Sequence, residues 1–182
     1  MKKLILFSTL ILAFSVSAET QYFFGKTKMW TPDKRTALGE SPYLVKRVLD
    51  KKKGLILETA TTVSRKTGKI YEEHTMTLKQ TDKKSRFDIV DKTKKFNGFV
   101  MYKGDEWNWD KWTYAVAFKN GDKLVGEGTL SSTALKTEKL ILNSKKAAKL
   151  MIVDDLKAID EATYKLRFKD FVTGKFLQNK DQ

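Results

Sequence analysis

Between Trp112 and Phe118 the bulky residues fall on every second position, and the run ends at Asn120-Gly121. Trp112, Tyr114, Val116 and Phe118 share one parity, while Thr113, Ala115 and Ala117 share the other. A period of two belongs to a β-strand, whose successive side chains leave on opposite faces. Asn-Gly predicts a type I′ turn, which needs positive φ at both central residues. Lys123 to Leu130 then reads as the returning strand. An antiparallel hairpin with an aromatic inner face is the unit the rest of the chain must accommodate.

The same reading extends along the chain. Glu19 to Gly25 is a short aromatic strand, and Lys26 to Pro42 reads as a loop crossing one end of the fold. Strands are predicted at Tyr43–Leu49, Leu55–Arg65, Lys69–Gln80, Ser85–Val90, Phe96–Lys103, Ala134–Leu142, Ala147–Leu156 and Ala162–Phe168. Short polar turns separate them. In residues 147–159 a period of 3.6 partly competes, through Leu150, Met151, Val153, Leu156 and Ile159, so a short helix remains an alternative there. An open sheet of so many strands would expose unpaired edges, and closure removes them. The expected fold is all-β: a single antiparallel up-and-down barrel of about eight to ten strands, with a β-sandwich as the alternative. Gly126 and Gly128, on the parity of Leu124 and Leu130, suit a strand bent sharply around a barrel.

The N-terminus reads as a leader. Lys2 and Lys3 precede an apolar run from Leu4 to Phe14, and Val16 and Ala18 fit a small-residue cleavage site before Glu19. The run is too short for a membrane span, which needs about 20 apolar residues. Residues 1–18 are therefore expected to be a cleaved signal peptide and residues 19–182 one domain. No cysteine follows the leader, so a lipoprotein anchor has no attachment point, and the expected location is periplasmic or secreted and soluble. The absence of cysteine also excludes disulfides and thiolate chemistry. Such a chain must hold by its core, and its 41% hydrophobic content suffices for one.

The formal charge of +14 falls to +12 once Lys2 and Lys3 are removed with the leader. A basic exterior of this size makes anionic envelope lipid or polysaccharide a plausible partner. It also suits a solubilised surface that resists edge-to-edge aggregation. No nucleic-acid-binding motif appears, and no nucleic-acid partner is expected.

In architecture the mature chain resembles the lipocalin and calycin superfamily over most of its length. That superfamily places a Gly-x-Trp near the first strand, and the nearest pair here, Gly25 and Trp30, is more widely spaced. The resemblance implies a barrel holding an apolar ligand and carries over no binding residue. From the residues themselves, the ligand-facing candidates are Glu72, His74, Met76, Trp112, Tyr114 and Phe118, with Trp107 and Trp109 at the rim. The tryptophans read as a binding platform, on which sugar rings stack while acidic neighbours bond hydroxyls, as a hydrophobic portal for lipid at the barrel mouth, or as packing in which Trp107 and Trp109 cap the open end while Trp112 fills the core.

His74, the only histidine, shares a parity with Glu72, Met76 and Leu78 and is expected to face inward. It reads as a hydrogen-bonded interior histidine, with an acid–base pair to Glu72 or a haem ligand as weaker readings. No other cofactor is expected, and no metal: zinc usually takes three protein ligands from His, Cys or carboxylate, and only His74 could supply a nitrogen. A loose divalent contact at Asp105, Glu106, Asn108 and Asp110 is the remaining option. No nucleophile elbow, P-loop or dinucleotide fingerprint occurs, and an enzyme is not expected. The predicted role is an exported binding protein holding a small hydrophobic or amphipathic ligand. The alternative is a filled barrel that acts on envelope surfaces or partners through its lysines and tryptophans.

Overall fold

The computed structural model describes residues 18–64, 67–90, 96–105 and 107–175; within these, the side chains of residues 71, 72, 96, 105, 108 and 109 are not described. The described residues form ten antiparallel strands and one helix. The strands are β1 (Glu19–Trp30), β2 (Ala37–Asp50), β3 (Leu55–Val63), β4 (Ile70–Gln80) and β5 (Arg86–Val90). They continue as β6 (Phe96–Asp105), β7 (Asn108–Phe118), β8 (Lys123–Leu130), β9 (Ala134–Leu142) and β10 (Ala148–Ile159). Each pairs with its sequence neighbour, and β1 closes on β10 with Phe24 opposite Lys157. This is the closed up-and-down barrel that edge removal demands.

The alternation within β7 holds: Trp112 and Val116 are buried inside, and Tyr114 and Phe118 pack against the same core. Gly126 and Gly128 lie directly opposite Tyr114 and Trp112 on β8. A Cβ at Gly128 would fall inside the Trp112 indole, and one at Gly126 would lie 2.6 Å from the Tyr114 hydroxyl. The two glycines therefore make room for the aromatic face beside them, beyond any bending of the strand.

The hairpin turn differs from the predicted type I′. Gly121 has φ 85°, but Asn120 is not in the left-handed region. Gly121 N–H donates to the Phe118 carbonyl at 3.0 Å, and Phe118 N–H donates to the Asp122 carbonyl at 2.9 Å. This is the three-residue loop, a type I turn followed by a left-handed glycine. Asn120 instead uses its Oδ1 to accept from Asp122 N at 3.0 Å.

Two segments depart from the sequence reading. The predicted crossing loop is mostly strand: β1 runs on to Trp30 and β2 begins at Ala37. Pro42 is tolerated inside β2 because the ladder to β3 begins only at Tyr43, so no bond on that side needs its missing N–H. The predicted strand at Ala162–Phe168 is instead part of α1 (Glu161–Thr173). Asp160 caps it by accepting from Thr163 N at 2.7 Å, and Gly174 closes it at φ 75°. Residues 147–159, the ambiguous stretch, form strand β10.

Helix α1 lies on the outside of the barrel. Its Tyr164, Phe168 and Phe171 pack with Phe24, Leu44 and Val63, the outward residues of β1, β2 and β3. Leu44 and Phe171 are fully buried there. The described residues thus form two cores: one inside the barrel, and a smaller one between barrel and helix.

Candidate binding site

The barrel interior carries two ion pairs among its apolar side chains. On β2 and β3, Arg47 Nε lies 3.1 Å from Glu58 Oε2. Arg47 Nη2 donates to the Tyr102 hydroxyl at 2.9 Å, and the guanidinium sits over the Trp112 ring at 5.5 Å. On β9 and β10, Lys139 Nζ pairs with Asp154 Oδ2 at 2.5 Å, and Thr137 Oγ1 donates to the same oxygen at 2.6 Å. Both pairs follow from barrel parity, since residues facing each other across adjacent strands must neutralise one another when buried.

Burial sets the titration of these groups. Burial pushes the Tyr102 hydroxyl up to about 12, outweighing the charge of Arg47 beside it. Tyr114 is raised for the same first reason. Burial opposes the charge on Lys139, but Tyr43, Asp154 and Tyr114 together hold its pKa above the ordinary lysine value. All these groups keep their neutral-pH forms: phenols neutral, lysine charged.

The first pair borders a cleft. At the barrel end where β1 begins and β2 ends, a cleft of about 230 Å³ is lined by Gln21, Arg47, Leu49, Tyr102, Trp107 and Leu130, with Glu19, Asp110, Ser131 and Ser132 around it. Arg47, Leu49 and Tyr102 are buried and form its floor. Asp110, Ser131, Ser132 and Glu19 are exposed and form its rim. Trp107 makes one wall. It has a left-handed backbone at φ 66°, a rare state for a bulky residue, and its ring meets Phe87 edge-on at 5.7 Å. The tight turn between β6 and β7 thus folds the indole back over the barrel end.

The site residues proposed from sequence separate into three groups. Trp107 lines the cleft. Met76, Trp112, Tyr114 and Phe118 belong to the packed interior, and none of them lines the cleft. Glu72 and Trp109 have side chains outside the described residues. His74 does not take the inward environment expected of it. It shares the parity of Met76 and Leu78 but is exposed; among the described residues the β5 ladder pairs with β4 from Thr77 to Gln80. Of the acidic group proposed for a divalent ion, Asp110 is exposed at the cleft rim, and the side chains of Asp105, Glu106 and Asn108 lie outside the described residues. Among the described residues no cluster of three or more metal-ligating side chains occurs.

The sequence reading missed Arg47, Gln21 and Tyr102. The available signal was parity: Arg47 alternates with Val45 and Leu49 on β2, and a charge on an apolar parity marks an interior polar site.

No protein-family model matches the chain, and no curated protein matches it. Among solved structures the chain is similar to a protein of unknown function of the DUF3598 family from Nostoc punctiforme. The TM-score is 0.56 at 13% identity, covering 76% of this chain and 46% of that one. The chain therefore spans about half the length of that neighbour, and the likeness is one of fold. No helix among the described residues is long and apolar enough to cross a membrane.

Proposed function

We propose that this chain is an exported, lipocalin-like binding protein that takes a small amphipathic ligand into the mouth of its barrel. One observation carries the reading: the cleft of about 230 Å³ whose floor is the buried Arg47. Among the described residues nothing accepts from Arg47 Nη1, so the floor presents a donor to whatever fills the cleft. Leu49, Leu130 and Trp107 supply apolar wall beside it. The space equals the share of about eight waters and is smaller than the roughly 300–1,000 Å³ of drug-sized sites. The cargo is therefore small. The reading is one of binding, and the one histidine, His74, is not among the cleft's lining residues. The leader read from the sequence at residues 1–18 supports a location in the envelope or outside the cell.

Native mass spectrometry of protein purified from its own host, followed by extraction, tests this. A stoichiometric small adduct supports the reading. A bare polypeptide mass, with no uptake of any small amphipathic probe, contradicts it.

A second reading has its own support. Phe87, Ile56, Leu78 and Leu156 are wholly buried and fill the barrel interior, which leaves the basic exterior as the other working surface. On that reading the protein adsorbs to anionic vesicles at low salt and is released by added salt. Adsorption indifferent to salt excludes it.

A further inference from the structure

We infer that the group held in the cleft is a single neutral sugar residue, seated with hydroxyls on Arg47 and Asp110 and its C–H face on Trp107. The inference rests on reading the cleft as the ligand site, and it specifies the chemistry of the ligand.

Charge comes first. Arg47 is offset by Glu58 at 3.1 Å, and Glu19 by Lys51 at 3.4 Å. Asp110 has no ionic partner among the described residues. The cleft of this strongly basic protein is thus close to neutral, with a slight acidic excess at its rim. A free anion would meet Glu19 and Asp110 on the way to a guanidinium that is already neutralised. A simple cation would satisfy Asp110 and leave the Arg47 donor facing it.

Hydrogen-bonding capacity narrows the choice further. The cleft presents a donor at Arg47 Nη1 and acceptors at Asp110 and Glu19, with the Ser132 hydroxyl able to serve as either. The Gln21 amide is oriented by its donation to Glu19 at 3.0 Å and lines the same cleft. An acyl chain would strip water from all of these and return no hydrogen bond in exchange. A hydroxyl both donates and accepts, so a ring carrying several of them answers carboxylate, amide and guanidinium together. The indole of Trp107 then offers an apolar face with a polar edge, which suits the mixed surface of a pyranose. The volume admits one such ring.

The test is isothermal titration of the purified protein with methyl β-glucoside, methyl β-galactoside and the methyl glycoside of N-acetylglucosamine, against hexanoate and hexylamine. The expected result is binding of at least one glycoside with an affinity unchanged by added salt. Asp110→Ala, at an exposed position, weakens it about tenfold, the loss of one charge-assisted hydrogen bond. Ser132→Trp, also exposed, blocks the cleft and abolishes binding while thermal unfolding stays unchanged. Binding of hexanoate or hexylamine without any glycoside overturns the sugar assignment and leaves the cleft a ligand site. Failure of every probe removes both. Glycoside binding that ignores both substitutions overturns the placement.

Discussion

The two ion pairs inside the barrel are chemically alike and structurally opposite. Lys139–Asp154 lines no described cleft: Asp154 is 1% exposed, Thr137 donates to it, and the Tyr43 ring lies 5.7 Å from the ammonium of Lys139, whose side chain is 20% exposed. Arg47–Glu58 borders the cleft, and its guanidinium keeps one unpartnered end. The difference lies in the choice of cation as well as in position. A lysine is a point charge that one carboxylate can answer, whereas an arginine fork holds Glu58 and Tyr102 and still offers Nη1 outward. The same electrostatic device therefore locks the barrel at one place and equips a site at another.

Breaking the Lys139–Asp154 pair should have the largest effect. Asp154→Ala leaves the Lys139 charge inside without its carboxylate, and urea unfolding should show a loss of about 3–5 kcal/mol. Replacing both partners, Lys139→Met with Asp154→Leu, should return most of that stability; a double variant as weak as the single would contradict the account.

Alkaline pH acts next. Tyr102 titrates near 12 in the folded protein against an ordinary value of 10.0, and Tyr114 is also raised. A raised folded pKa contributes stability that is whole below the unfolded value and lost as pH rises through the folded one. Stability should thus be intact below pH 10 and fall between pH 10 and about 12, by about 1.4 kcal/mol per pH unit for each tyrosine. A flat profile across that window would break the burial argument.

At the cleft the effects should be smaller. Arg47→Met leaves Glu58, whose side chain is 26% exposed and so partly hydrated, at a cost of about 1–3 kcal/mol. The smallest change is Tyr102→Phe, which removes one hydrogen bond worth about 1 kcal/mol and flattens part of the alkaline loss. If Arg47→Met proved costlier than Asp154→Ala, the distinction between the two pairs would not stand.

Most of the barrel was legible because its inward parity is written in bulky residues, from Trp112 to Phe118 above all. The helix was not. Tyr164, Leu166 and Phe168 alternate like a strand, yet Tyr164, Phe168 and Phe171 also follow the helical spacing of four and three. The deciding signals were the Asp160 cap and Gly174, and the exposure of Leu166, at 57%, shows which period won. His74 keeps the expected parity and is nonetheless exposed, because parity gives a face and does not tell how much of that face is covered. The cleft was only half legible. Trp107 stands out by type, but Gln21, Arg47 and Ser132 come together only when β1, β2 and the turn after β8 meet at one barrel end.

The most direct test of the central claim is a map of backbone amide shifts on adding the ligand recovered from the native protein or, failing that, a bound glycoside. The account predicts shifts at Gln21, Arg47, Tyr102, Trp107 and Ser132, with Thr137, Lys139 and Asp154 unmoved. Shifts centred on Lys139 and Asp154, or on the exposed lysines alone, would contradict it.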